Sequence, residues 1–334
     1  MRLFLKIVSF VVLITGVLVL VFFVVFITSR SIGLTPRGLI PDMELTGGIG
    51  DFIGGVVGTL FSLAATILVV TTLLEQGYQN KRNVFVQSYY EMLRVHTNNV
   101  EQMSLAFKNG GQNKGRAVFS QLVKNYNTIY DNLECYVNNI LRGGAHGCTD
   151  EDKMVAFLSD ETKRSTFLMR LAYGYFYYGS EHFHLPRFYE SVEETIEATI
   201  KRLSLQNQFY TTGYHVFLGH YYRHVFQMIQ YIINADCLDE DERYVYAKQL
   251  RAQLDDDEQL LLYYNAMADV GKAWTMPDWD ISTKSNKMMC PMARFRMIKN
   301  IPASAVIRGI DPSVKFRKEI EFYKKESLSF FEQR

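Results

Sequence analysis

His220 and His224 stand four residues apart in GYHVFLGHYYRHVFQMIQYIINA (213–235) and would share one face of a helix, with His215 a further turn away. Two imidazoles on one face can begin a zinc site, but a site needs a third and a fourth ligand. No H-E-x-x-H and no cysteine pair supplies them. The histidines therefore read as polar members of a buried network or as surface residues. No G-x-S-x-G, Walker sequence, paired catalytic carboxylates or Cys/His nucleophile arrangement can be argued from spacing either. No catalytic residue, metal or cofactor is assigned.

Three further groups carry residue types suited to chemistry. Ribonucleases of the HEPN type use an arginine and a histidine separated by a short fixed spacer. Arg223 and His224 have the types without the spacer, and Arg142 with His146 has too short a one, inside a glycine loop. The acidic run 255–258 lacks the alternating oxygen ligands and the glycine of an EF-hand. Asp255 with Glu258 reads instead as a helix start, its acids on the positive end of the dipole. The aromatic stretch LAYGYFYYGSEHFHLPRFYE (171–190) contains no lysine and one arginine, Arg187, so base stacking is a poor fit. It reads as the edge of a core or a protein-binding patch.

The elements that must position these residues begin with two apolar segments. Residues 7–27 and 52–74 contain no charged side chain, and the first would span roughly 31 Å as a helix, the thickness of a hydrocarbon core. A signal peptide is the alternative for the first, but its apolar run is too long and no small-residue cleavage site follows in ITSRSIGLTPRG. The second opens with small residues four apart, Gly50, Gly54, Gly58 and Ser62. Each glycine weakens a water-exposed helix by about 1 kcal/mol. In a bilayer the same spacing lets another helix approach backbone to backbone, either the first helix of this chain or a second copy. Arg2 and Lys6 precede the first segment and Lys81, Arg82 and Arg94 follow the second. The loop 28–51 sets Arg30 and Arg37 against Asp42, Glu44 and Asp51. That bias puts both termini in the cytosol.

With 21% charged residues and a formal net charge of +1, the chain of 334 residues has no bulk field for a polyanion, and no nucleic-acid partner is expected. Cys135, Cys148, Cys237 and Cys290 are scattered without C-x-x-C spacing, as suits a reducing compartment. Beyond Gln76, Val84, Tyr89, Met92, Val95 and Val100 recur at helical spacing, so the second span is expected to continue, with a kink near Gly77. KNGGQNKG (108–115) reads as a loop. Helices follow over about 116–141, from Thr149 and Asp152 as a capping pair, from Pro186, and through 213–235, 240–254 and 255–268, ending in a basic amphipathic helix in VKFRKEIEFYKKESLSFF.

Three blocks carry a family resemblance: GDFIGGVVGTLFSLAATILVVTTLLEQ (50–76), GHYYRHVFQMIQYI (219–232) and YAKQLRAQLDDDEQLLLYYN (246–265). In order and spacing they resemble the AbiC-like family of bacterial phage abortive infection proteins. Tyr221, Tyr222 and Arg223 fill its aromatic–arginine step. Arg251, Gln253, Leu254, Glu258, Tyr264 and Asn265 fill its R-A-Q-L…E…YN block. The resemblance runs from about 47 to 268. ADVGKAWTMPDWD departs from it, and 269–334 carry no assigned role. It implies phage defence and no known reaction. Arg223 on an apolar helix needs an acceptor if buried. His220, Tyr222, Arg223, Gln253, Glu258 and Asn265 thus form a candidate polar network, structural or ligand-binding.

The resulting expectation is an all-α protein of the bacterial inner membrane. Residues 1–76 form a two-helix transmembrane hairpin and 77–334 a cytosolic α-helical domain. Its function would be anti-phage defence by abortive infection, with membrane perturbation as the effector step. Its partners would be the lipid bilayer, a second copy of the chain and a phage-derived trigger. The alternatives are a membrane-tethered HEPN-like ribonuclease and a non-catalytic membrane-anchored interaction module.

Overall fold

The structure, a computed structural model, describes residues 2–30, 43–106, 111–143, 158–179, 213–276, 289–302 and 304–332. The chain is all-α as expected and divides into two compact units, Met1–Gln87 and Ser88–Arg334.

The first unit contains α1 (Arg2–Arg30), α2 (Met43–Phe52), a π-helical turn (Ile53–Val57) and α3 (Gly58–Gln102), whose residues from Ser88 onward belong to the second unit. Gly54 and Gly55 lie in the wide turn, where the Gly58 N–H donates to the Ile53 carbonyl five residues back. α1 and α3 run antiparallel. The Ser9 hydroxyl donates to the Ala64 carbonyl at 3.1 Å, Gly16 faces Leu60 and Phe61, and Phe23 stacks on Phe52 at 4.2 Å. From the π turn into the first turns of α3 the buried residues are Val57, Ala64 and Thr71, seven apart, which is the seam of two helices packed with a 3.5-residue period. Lys6 and Glu75 pair at 2.9 Å at the end of the hairpin that holds the amino terminus. The lateral faces are apolar and exposed, from Phe4, Phe10, Leu18 and Phe22 (72%) on α1 to Leu63, Leu68, Val69 and Leu73 on α3. Both helices are long and apolar enough to cross a membrane. α3 runs unbroken through Gly77, where a kink was expected.

In the second unit α3 is followed by two short antiparallel strands, β1 (Ser104–Ala106) and β2 (Gln112–Lys114), in register Ser104↔Lys114. They modify the expected loop at 108–115. α4 (Ala117–Gly143) buries Phe119, Leu122, Tyr126, Ile129 and Leu133, a three-four alternation that lays one stripe along the helix. α5 (Glu161–Tyr178) starts at Asp160, whose side chain accepts from the Lys163 N–H. α6 (His215–Ile233), α7 (Glu240–Arg251) and α8 (Asp256–Met267) follow, then a 3₁₀ turn (Asp269–Trp274). α8 is buried on every side from Glu258 to Ala266 and packs on α4, α5 and the 3₁₀ turn. Tyr264 stacks on Tyr126 with ring centroids 4.1 Å apart. Such all-round burial explains why α8 reads as Leu-Leu-Leu-Tyr-Tyr and not as an amphipathic helix.

α9 (Pro291–Arg294), α10 (Pro312–Lys315) and α11 (Arg317–Lys325) complete the described elements. The carboxyl-terminal helix expected as one piece is broken at Phe316, whose backbone (φ −104°, ψ 27°) leaves the α region. The reason is packing. Phe316 is buried between Tyr263 and Phe330, at 6.4 and 5.7 Å. The helix starts expected at Thr149 and Pro186 lie outside the described residues, as do Cys148, His146 and the aromatics beyond residue 179.

Candidate functional site

Glu258 is the buried charge around which the site is built. Asp255 caps α8 and Glu258 returns the bond: the Glu258 N–H donates to Asp255 Oδ1 and the Asp255 N–H to Glu258 Oε2, both at 2.7 Å. The box fixes the carboxylate with Oε1 accepting from the Tyr221 hydroxyl of α6 at 3.2 Å. Burial, with the Asp255 carboxylate behind it, pushes the Glu258 carboxyl up to about 7. Bonding from the Asp255 N–H, the Arg116 charge and the Tyr221 hydroxyl offset only part of the rise. Near neutral pH this group can therefore hold or release a proton.

Tyr221 also leads to a pair of histidines. Its ring lies 5.5 Å from that of His96 on α3, and His96 stacks on His224 of α6 at 6.0 Å and 5°. His224 Nε2 engages the Met92 carbonyl at 3.0 Å. His96 is 2% exposed, and its Nε2 is buried with no hydrogen-bond partner among the described residues. Leaving such an atom unmatched weakens a fold by about 1–3 kcal/mol. Burial, then the charges of His224 and Arg116, lower its pKa to about 4, so His96 is neutral at physiological pH.

A cleft of about 200 Å³ opens beside His96 and is lined by His96, Thr97, Val100, Glu101, Arg116 and Gln253. The Arg116 guanidinium donates to the Gln253 carbonyl at 2.8 Å, which ties two lining residues together. A second polar branch runs from Tyr222, in edge contact with Tyr221 at 5.3 Å. The buried Tyr222 hydroxyl couples electrostatically to the Tyr173 hydroxyl without reaching hydrogen-bond geometry, and Tyr173 accepts from Asn265 Nδ2 at 2.9 Å. Gly271 of the 3₁₀ turn presses on Asn265 so closely that a Cβ there would stand 2.1 Å from its carbonyl oxygen.

Of the six residues expected to form the network, the structure brings Glu258, Gln253, Tyr222 and Asn265 to this region and places the other two elsewhere. His220 is exposed. Arg223 is exposed too, and its Nε donates to the Gly219 carbonyl of its own helix at 2.9 Å. The acceptor that Arg223 would require if buried is therefore local. Arg251 is buried instead, and its Nη1 donates to the carbonyls of Phe295 and Arg296 at 3.2 and 3.1 Å and so ties α7 to the segment 289–302. Sequence reasoning missed His96, Arg116 and Tyr173. His96 had a signal: with Tyr89 and Val100 it lies on the buried stripe of α3, a polar residue at an apolar position. Among the described residues no cluster of three or more metal-ligating side chains exists.

The glycine face lies in the first unit. Among the described residues a Cβ at Gly50 or Gly54 would meet no atom within 4 Å, and one at Gly58 only the Ile53 carbonyl oxygen at an ordinary 3.6 Å. Ser62 is exposed. These residues are thus not the face that α3 presents to α1. The buried positions are Val57, Ala64 and Thr71, and between them Leu60 and Phe61 meet Gly16 of α1.

Fold and site define a helical domain with a buried polar centre, preceded by two helices long enough to cross a membrane. Residues 213–277, which carry α6, α7, α8 and the 3₁₀ turn, match the family model described as "Putative phage abortive infection protein". No curated protein and no solved structure matches the chain.

Proposed function

We propose that this protein is a membrane-anchored bacterial anti-phage defence protein that acts by abortive infection, with perturbation of the inner membrane as its effector step. One observation carries the reading. The same chain joins the matched helices, 213–277, to a hairpin whose lateral faces are apolar and exposed over the length of a bilayer core. In water an apolar patch of that extent invites aggregation, whereas in lipid it is the solvent-facing surface. The Lys6–Glu75 pair puts both ends of the hairpin on one side, in keeping with cytosolic termini.

The unoccupied glycine face supplies the means. Small residues at Gly50, Gly54 and Gly58 leave room for a second copy to approach, and helix association of this kind is the step through which a phage-derived trigger would act. The test is the double variant Gly54→Leu, Gly58→Leu, expressed in cells challenged with phage. Loss of protection at unchanged protein level is expected. Full protection by the variant would refute the mechanism.

The ribonuclease reading has less support. Arg223 binds its own helix, and His224 is occupied by the Met92 carbonyl.

A further inference from the structure

The cleft beside His96 is a small, partly enclosed space with four kinds of polar wall. His96 Nε2 is buried and unpartnered, Arg116 offers guanidinium N–H groups beyond the one given to Gln253, Glu101 offers a carboxylate, and the Gln253 side chain offers both a donor and an acceptor. Val100 supplies an apolar surface. At about 200 Å³ the cleft is below the roughly 300–1,000 Å³ of sites for drug-sized ligands, so its occupant is small.

Charge narrows the class. Glu101 lines the cleft, and Asp255 lies within electrostatic reach of Arg116. A simple anion would meet these carboxylates, and a simple cation would meet the guanidinium. A neutral molecule with adjacent acceptors on one edge and adjacent donors on another satisfies both. We propose that the cleft binds a free guanine base or nucleoside, with Arg116 donating to O6 and N7, Glu101 accepting from N1–H and the 2-amino group, and His96 Nε2 completing the set. The fork of an arginine matches O6 and N7 of guanine in the same way when proteins read DNA. The ligand is a monomer: a net charge of +1 offers a nucleic-acid strand no field. The site goes beyond the membrane reading and does not depend on it.

The test uses the full chain in detergent micelles with ¹⁵N-labelled histidine, titrated with guanosine and separately with uridine, which offers one donor between two acceptors. The His96 resonance is identified by its loss in His96→Leu. Guanosine should shift the His96 Nε2 signal saturably and bind at least tenfold more tightly than uridine. Arg116→Lys and Glu101→Gln, both at exposed positions, should each weaken guanosine at least tenfold with unaltered thermal unfolding. No saturable shift, equal binding of the two nucleosides, or unchanged affinity in both variants would overturn the proposal.

Discussion

The Tyr221 hydroxyl donates to Glu258 Oε1 at 3.2 Å, joining α6 to the first turn of α8 through two groups that are both buried. Both residues fall within 213–277, so the matched segment holds its own polar centre. On its other side Tyr221 touches His96, which comes from α3 and lines the cleft. A capping box, a phenol and an imidazole therefore lie in succession between the buried carboxyl and the cleft.

Glu258 should make stability fall as pH rises. Its folded pKa is about 7 against an ordinary 4.5. Below about pH 4.5 both folded and unfolded states hold the proton, and the favourable contribution is complete. Between there and pH 7 the unfolded chain ionises first and the contribution is lost, at most about 3 kcal/mol. Glu258→Gln keeps an N3 acceptor for the capping box and should take that falling component out of the pH dependence. Urea unfolding at a series of pH values measures it, and an identical slope in the variant would contradict the burial argument.

His96 should act in the opposite direction. Its folded pKa is lowered from 6.5 to about 4, so its contribution is complete above about pH 6.5 and lost as pH falls towards 4. The two groups nearly cancel between pH 4.5 and 6.5, and each single variant should expose the other's slope. His96→Leu should also gain about 1 kcal/mol at pH 7, because an unmatched buried nitrogen is replaced by an apolar group. A destabilised His96→Leu protein at that pH would mean that Nε2 is satisfied.

Gly271→Ala should be among the most damaging small substitutions in the second unit. The added Cβ would stand 2.1 Å from the Asn265 carbonyl oxygen and 2.4 Å from Oδ1, and neither can retreat far inside α8. A loss of about 3 kcal/mol, read as a lower midpoint of denaturation, is expected. An unchanged midpoint would show that the 3₁₀ turn is not pressed on α8.

Gly54→Leu with Gly58→Leu should leave the hairpin intact, since among the described residues nothing obstructs a Cβ at Gly54 and only an ordinary contact meets one at Gly58. Any effect then reports on contacts between copies. Crosslinking in membranes should yield oligomers from the natural chain and monomers from the variant. Oligomers from both would remove the role given to this face.

Much of this architecture was legible because hydrophobic pattern and cap chemistry are local. The uncharged runs 7–27 and 52–74, the helix of 117–143 and the Asp255–Glu258 start all follow from neighbours along the chain. The site was less legible because it joins residues far apart in sequence. Nothing near Glu258 announces His96 or Arg116, which meet it only when α3, α4 and α8 pack. Arg223 misled for a related reason. A charge on an apolar-looking helix suggests burial, yet its position faces outward and its own backbone satisfies it. The glycine spacing left open whether the first helix or a second copy meets it and did not indicate the buried positions Val57, Ala64 and Thr71; a π turn at Ile53–Val57 interrupts the helical register between Gly50 and Gly58.

The most direct test of the membrane reading is the membrane potential of infected cells, followed with a voltage-sensitive dye. Depolarisation after infection in cells carrying the natural chain, absent with Gly54→Leu and Gly58→Leu, is the predicted result. A potential that stays intact while the protein protects the culture would contradict it, leaving the spans as a tether only.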